Sequence, residues 1–167
     1  MVIKIRAFDN ADIEALTKIY NWYVLKTTIT FDLEPYTVEQ RQVRWMCHYA
    51  AAGRHRLIVA ELDGQVIGYA SSSQLRIKPA YDPSVEVSIY LSHRFQRLGI
   101  GSLLYEKLFE QLRTEDVHRV YAGITVPNEA SLAFHQKFDF VEVGRFHEVG
   151  RKFGQYWDVV WLERKMP

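Results

Sequence analysis

Gln96-Arg97-Leu98-Gly99-Ile100-Gly101-Ser102 stands between a run that alternates as a strand, Val85 to Leu91, and a run whose Leu103, Leu104, Leu108 and Leu112 recur on one face of a helix. Glycines at 99 and 101 let the backbone come close to a bound group. The N-terminus of the helix that follows offers unpaired N–H donors and partial positive charge, a combination suited to a pyrophosphate. Arg94 and Arg97 add cationic donors. Residue 104 is Leu, so the dinucleotide pattern G-x-G-x-x-G is broken, and no G-K-[ST] makes a P-loop. On spacing alone the stretch reads equally as a glycine-rich helix cap with solvated arginines.

Working outward, Ile3, Ile5 and Ala7 alternate with Lys4 and Arg6 as a half-buried strand. Asp9 is placed as an N-cap, and Ile13, Leu16, Ile19, Tyr20, Tyr23 and Val24 follow at helical spacing. Thr37 to Gln40 fits a capping box, which predicts a second helix through Trp45, Met46 and Tyr49 to Gly53. Leu57 to Leu62 and Gln65 to Ser72 are strands joined by Asp63-Gly64, a strong hairpin signal. The strand Val85 to Leu91, a helix from Ser102 to Glu115, a strand from Val117 to Thr125 and a short helix from Ala130 to Phe138 come next. Strands Phe140 to Val149 and Tyr156 to Arg164 close the chain around a turn at Gly150 to Gly154. The order β-α-α-β-β-β-α-β-α-β-β predicts one α/β domain over residues 1–167, without repeat or linker.

Composition bounds the function. The 167 residues hold 21 basic and 20 acidic side chains, a net charge of +1, and 48% of positions are hydrophobic. That excludes a disordered tail and a polyanion-coating basic protein, and gives no basic stripe for nucleic acid. Surface scaling leaves about 8,600 Å² exposed for this mass. Cys47 is the one cysteine, so no intrachain disulfide forms and no thiolate cluster holds zinc, and the histidines show no metal-ligand spacing. No run of eighteen apolar residues and no standard export signal is present, which points to a cytoplasmic, membrane-free protein.

The element order and the Gln96, Gly99, Gly101 pattern resemble the GNAT superfamily of acyl-CoA-dependent N-acetyltransferases, whose signature Q/R-x-x-G-x-G/A follows the fourth strand. Val85 to Gly99 is similar to the corresponding segment of the branch that acetylates phosphinothricin, methionine sulfoximine and methionine sulfone. Glu34-Pro35, Arg76-x-Lys78, Asn128, His135 and Lys152-Phe153-Gly154 also match comparable positions of that branch. Two departures stand out: the Arg76 and Lys78 order is swapped, and Asp139 occupies the position of a family Gly.

The resemblance implies a GNAT fold whose fourth and fifth strands splay to hold acetyl-CoA, with no metal. The pantetheine arm would pair with the backbone of Ile89, Tyr90 and Leu91 as an extra strand. Gln96, Arg97, Leu98, Gly99, Ile100, Gly101 and Ser102 would hold the pyrophosphate, the Asn128 amide would meet the pantetheine, and the Leu91 N–H is the oxyanion donor. Asn128 reads equally as a helix cap. An amino-acid amine is mostly protonated at pH 7, so a base is needed, and Glu86 in an apolar strand is the candidate. Its other reading is an outward-facing carboxylate paired with an arginine. His135 stands where many members have a thiolate-protonating Tyr, and serves either as that acid or as a structural contact to CoA. Arg76 and Lys78 would clamp the acceptor's acidic group or are merely solvated, and Phe31, Tyr81 and Trp157 would wall the pocket or lie in the core. The implied partners are a small-molecule amine and a second copy of the chain in a homodimer. The implied activity is direct acetylation of the α-amine of a small amino-acid analogue; a protein N-terminus, a polyamine or a catalytically silent acyl-CoA sensor are the alternatives.

Overall fold

Hydrophobic period two and period 3.6 alternate along the chain, and in the computed structural model, which describes residues 2–95 and 98–167, strands and helices follow those periods except after Arg44. Strands β1 (Ile3–Ala7), β2 (Leu57–Leu62), β3 (Gln65–Gln74), β4 (Ser84–Leu91), β5 (Arg119–Val126), β6 (Val141–Lys152) and β7 (Gln155–Lys165) form one mixed sheet in the order β1-β2-β3-β4-β5-β7-β6. Four helices cover it: α1 (Ile13–Lys26), α2 (Val38–Arg44), α3 (Ile100–Leu112) and α4 (Glu129–Lys137). This is a single α/β domain of the expected class.

Local chemistry sets the element ends. Asp9 and Asp12 form a capping box ahead of α1, and Thr37 with Gln40 forms another at α2. Asp63 and Gly64 both take positive φ, the geometry of a type I′ hairpin between β2 and β3, and Phe153 and Gly154 repeat it between β6 and β7. The last turn is thus tighter than Gly150 to Gly154, and β6 runs on through Lys152. The expected second helix also stops early. Past Arg44 the chain leaves helical geometry at Trp45 and makes a 3₁₀ turn over Met46–His48, which lays the Trp45 ring on the Arg41 guanidinium and against Tyr69. Tertiary stacking overrides the helical period there.

Two cores lie on opposite faces of the sheet. One packs Val85 and Val87 of β4, with β5 residues Val120 and Ala122, under Leu104, Leu108 and Leu112 of α3. The other joins Leu16, Ile19 and Tyr23 of α1 to Val59, Tyr69 and Tyr90. Because side chains alternate along β4, Glu86, Ser88 and Tyr90 share the α1 face and the odd residues take the α3 face. No helix of the described residues is long and apolar enough to cross a membrane.

Candidate active site

The β4–β5 ladder is parallel and only three pairs long, Ser84 with Arg119, Val85 with Val120 and Glu86 with Tyr121. Beyond Glu86 the strands diverge, so the expected splay exists and Glu86 sits at its fork. On the other side β4 pairs with β3 through to Leu91 opposite Gly68. The Ser92 N–H donates to the Ile67 carbonyl at 2.8 Å, and bonding alternates along an antiparallel ladder, so Tyr90 bonds with Tyr69 while Ile89 and Leu91 turn their backbone groups into the gap. Of the three residues expected to pair with pantetheine, Tyr90 therefore has its backbone committed to β3. The Leu91 carbonyl accepts from the Tyr23 hydroxyl at 2.7 Å, which leaves its N–H aimed at the gap.

Below the gap, Gly99 takes φ 73 as the N-cap of α3, a left-handed conformation that favours glycine, and no side chain caps the helix. The first intrahelical bonds run from Ser102 and Leu103 to the Gly99 carbonyl, so the N–H groups of Ile100 and Gly101 precede them as first-turn donors. Leu98 is exposed, and Gln96 and Arg97 lie outside the described residues. A Cβ at Gly101 would stand 3.2 Å from the Phe134 ring and 3.4 Å from Ile89, so the close approach there is between α3 and its own core. Lys137 of α4 donates to the Ser102 hydroxyl at 3.0 Å, placing a cation at this helix start. Nothing in a one-dimensional reading signals Lys137, since α4 has to fold back over α3 to bring it there.

Glu86 is half-buried. Burial raises its pKa above the usual carboxylate range and the Arg76 charge draws it partly back, yet no ion pair within 4.0 Å reaches it among the described residues. Arg76 and Lys78 are both exposed; Arg76 lies close enough to act on Glu86 electrostatically. Ser73, opposite Glu86 across the ladder, lines a cavity of about 420 Å³ together with Ser71, Ser88, Tyr90, Asp32 and Arg41. Of the acceptor-side aromatics, Phe31 packs on Gly150, the cross-strand partner of Trp157, Trp157 lines a second cavity of about 390 Å³ with Asn128, and Tyr81 is exposed on a 3₁₀ turn. Asn128 caps α4, its Oδ1 accepting from the Ser131 N–H at 3.2 Å.

His135 is 2% exposed. Its Nδ1 lies 2.8 Å from the Ser131 carbonyl, which can only accept, so Nδ1 carries the proton and Nε2 accepts from the Tyr105 hydroxyl at 3.0 Å. Burial lowers its pKa, and Tyr105, Phe134 and Phe140 surround the ring. Both imidazole nitrogens are thus engaged within the protein, which favours the structural one of the two expected readings of position 135. Asp139, the expected departure from Gly, adopts φ 62, a left-handed conformation that a short polar side chain tolerates.

The profile of the acetyltransferase (GNAT) domain matches residues 5–161. The chain belongs to the GNAT acetyltransferases. It is an N-acetyltransferase enzyme, and its relatives share nearly the whole of it. Phosphinothricin N-acetyltransferase of Streptomyces coelicolor is 49% identical over 98% of this chain and 96% of its own length. L-Methionine sulfoximine/L-methionine sulfone acetyltransferase of Pseudomonas aeruginosa is 31% identical, over 98% and 94%. The crystal structure of a phosphinothricin acetyltransferase from Sinorhizobium meliloti, in complex with acetyl-CoA, superposes with a TM-score of 0.92 at 29% identity, covering 99% of this chain and 89% of that one. Among the described residues of the acetyltransferase no cluster of three His, Cys, Asp or Glu side chains is set to hold a metal ion.

Proposed function

We propose that the enzyme transfers the acetyl group of acetyl-CoA directly to the α-amine of a small amino-acid analogue of the phosphinothricin, methionine sulfoximine or methionine sulfone type. The observation that carries this reading is the fork: a half-buried carboxylate at the last β4–β5 rung, with open backbone groups on the same strand beyond it. The pantetheine arm pairs with Ile89 and Leu91, and the first turn of α3, with Lys137 beside it, takes the pyrophosphate. Glu86 removes the amine proton, directly or through one water, and its raised proton affinity suits that task at neutral pH. The Leu91 N–H donates to the thioester oxygen as negative charge builds there. Arg76 and Lys78 bind the acceptor's α-carboxylate at the mouth beside Glu86, and Phe31, next in the chain to the cavity-lining Asp32, contributes to the acceptor side. His135 acts through the scaffold, holding Tyr105 and α4 in place beside the gap. Cys47 is exposed on the turn after α2 and forms no acyl-enzyme, and its free thiol fits a reducing cytoplasm.

A homodimer is part of the proposal. The described structure exposes 9706 Å², above the roughly 8,600 Å² that surface scaling gives a monomer of this mass. Edge strand β6 carries exposed Val141, Val143, Phe146 and Val149. Sedimentation equilibrium giving one chain per particle at micromolar concentration overturns it.

Thiol release from acetyl-CoA tests the activity against phosphinothricin, methionine sulfoximine, methionine sulfone, their carboxamides, spermidine and a short peptide. The free amino-acid analogues are expected to be turned over fastest. Preference for the peptide or spermidine, or no turnover at all, refutes the reading.

A further inference from the structure

Arg41, which the sequence reading passed over, is 5% exposed, and its guanidinium carbon lies 4.0 Å from the centre of the Tyr20 ring and 3.7 Å from that of Trp45. Stacking occupies the two faces of the guanidinium and leaves its edges, which carry all five N–H donors. Among the described residues those edges make one hydrogen bond, from Nη2 to the Tyr69 hydroxyl at 3.2 Å. Nε is buried without a partner, and no carboxylate pairs with the group within 4.0 Å. Asp32 lines the same cavity, but its carboxylate accepts from the Tyr20 hydroxyl at 2.5 Å. A buried, permanently charged cation with spare donors is costly to fold unless an anion completes it.

The cavity supplies the place for that anion. Arg41 lines it at the Tyr69 end of the β3 row Tyr69, Ser71, Ser73, and Glu86 stands opposite Ser73 at the other end. An acceptor whose amine is within reach of Glu86 carries its α-carboxylate on the adjacent carbon, beside Arg76. The group that extends along the row to Arg41 is therefore at the far end of the side chain. We propose that Arg41 binds a side-chain oxyanion of phosphinate type on the acceptor and so selects for it. The proposal rests on the amino-acid reading given above, and it adds the residue that distinguishes an oxyanion-bearing side chain from a neutral one.

Two arms test it. Dimethylphosphinate, a fragment with no amine, is titrated into wild type and Arg41→Gln while the Trp45 indole resonance is followed. Saturable binding to wild type at least tenfold tighter than to Arg41→Gln is expected, with Arg41→Lys intermediate because it keeps the charge and loses the fork. Absence of binding to wild type, or equal binding to both, overturns the proposal. In the kinetic arm the ratio of KM for phosphinothricin to KM for norleucine is expected to rise about 10- to 100-fold in Arg41→Gln, as for a lost charged hydrogen bond, with KM for acetyl-CoA unchanged. Equal increases for both acceptors would mean that Arg41 only staples α1 to α2, and overturn it. If Arg41→Gln fails to fold, Arg41→Lys carries both arms. If wild type acetylates no free amino acid, the functional reading fails by itself, and the phosphinate titration still decides Arg41.

Discussion

His135 and Arg41 are both buried polar side chains, one on each face of the sheet, and they are treated in opposite ways. His135 has a partner for each ring nitrogen and lies within an aromatic shell. Arg41 has one hydrogen bond and an orphaned Nε, and Glu86 on the same face has no ion-pair partner within 4.0 Å among the described residues. Protein interiors satisfy their polar groups, so a complete set of partners marks scaffold and an incomplete one marks a place prepared for something else. Buried Gln111 Oε1 on α3 and Trp161 Nε1 also lack partners, so the distinction rests on charge: on the α1 face of β4 it is a guanidinium and a carboxylate that stand without ion-pair partners among the described residues.

The comparison breaks first at Glu86. Glu86→Gln keeps the shape and cannot accept a proton, so kcat is expected to fall by about 10² to 10⁴ with acetyl-CoA affinity retained. The same substitution should stabilise the fold at neutral pH. A folded pKa above the unfolded one means that the native state binds the proton more tightly, so the ionised form costs stability above the folded pKa and nothing below the unfolded one. The Tm gain of the variant is then present at pH 8 and absent near pH 3. Near wild-type kcat, or a Tm loss at pH 8, would remove Glu86 from the chemistry.

His135→Ala is expected to show the reverse pattern. It empties a buried ring site and strands the Tyr105 hydroxyl, which should cost about 3 kcal/mol in urea unfolding. kcat at a temperature well below Tm should change less than fivefold. An acid-side pH–rate limb that vanishes in His135→Asn, at unchanged stability, would place the imidazole in the chemistry after all.

Arg76→Ala sharpens the picture at the mouth. KM for the amine should rise by about 1.5 kcal/mol in free-energy terms, the low end for a charged hydrogen bond because Arg76 is exposed. Removing its charge should also move the acid limb of kcat/KM to higher pH, since that charge holds the Glu86 pKa down. If carboxamide and free-carboxylate acceptors lose activity equally, Arg76 does not read the carboxylate. The smallest effect belongs to the scaffold of the α1 face: Thr37→Ala removes the α2 capping box and should cost about 1 kcal/mol of stability by urea titration, with kcat unaltered.

Much of this protein is written locally. Alternation in Ile3–Ala7 and in Leu57–Leu62, the capping boxes at Asp9 and Thr37, and the Asp63-Gly64 turn are short-range signals, and each produced its element. The glycines ahead of α3 and the carboxylate in an apolar strand were legible for the same reason, since spacing and residue type along one strand and one turn carry that information. The tertiary structure alone decided which backbone groups of β4 face the gap, because the phase of the β3 ladder sets this and not the identity of Ile89, Tyr90 or Leu91. It also shortened α2 at Trp45, drew Lys137 to Ser102, gave both His135 nitrogens partners within the protein and seated Phe31 on Gly150 opposite Trp157. Arg41 is the sharpest case: on a helical period it is one more surface arginine, and only the packing of α1 and α2 on the sheet closes Tyr20, Trp45 and Tyr69 around it. Local pattern determines elements because backbone sterics and hydrophobic period act over a few residues. Burial and partnership depend on which elements meet, and that is a property of the whole chain.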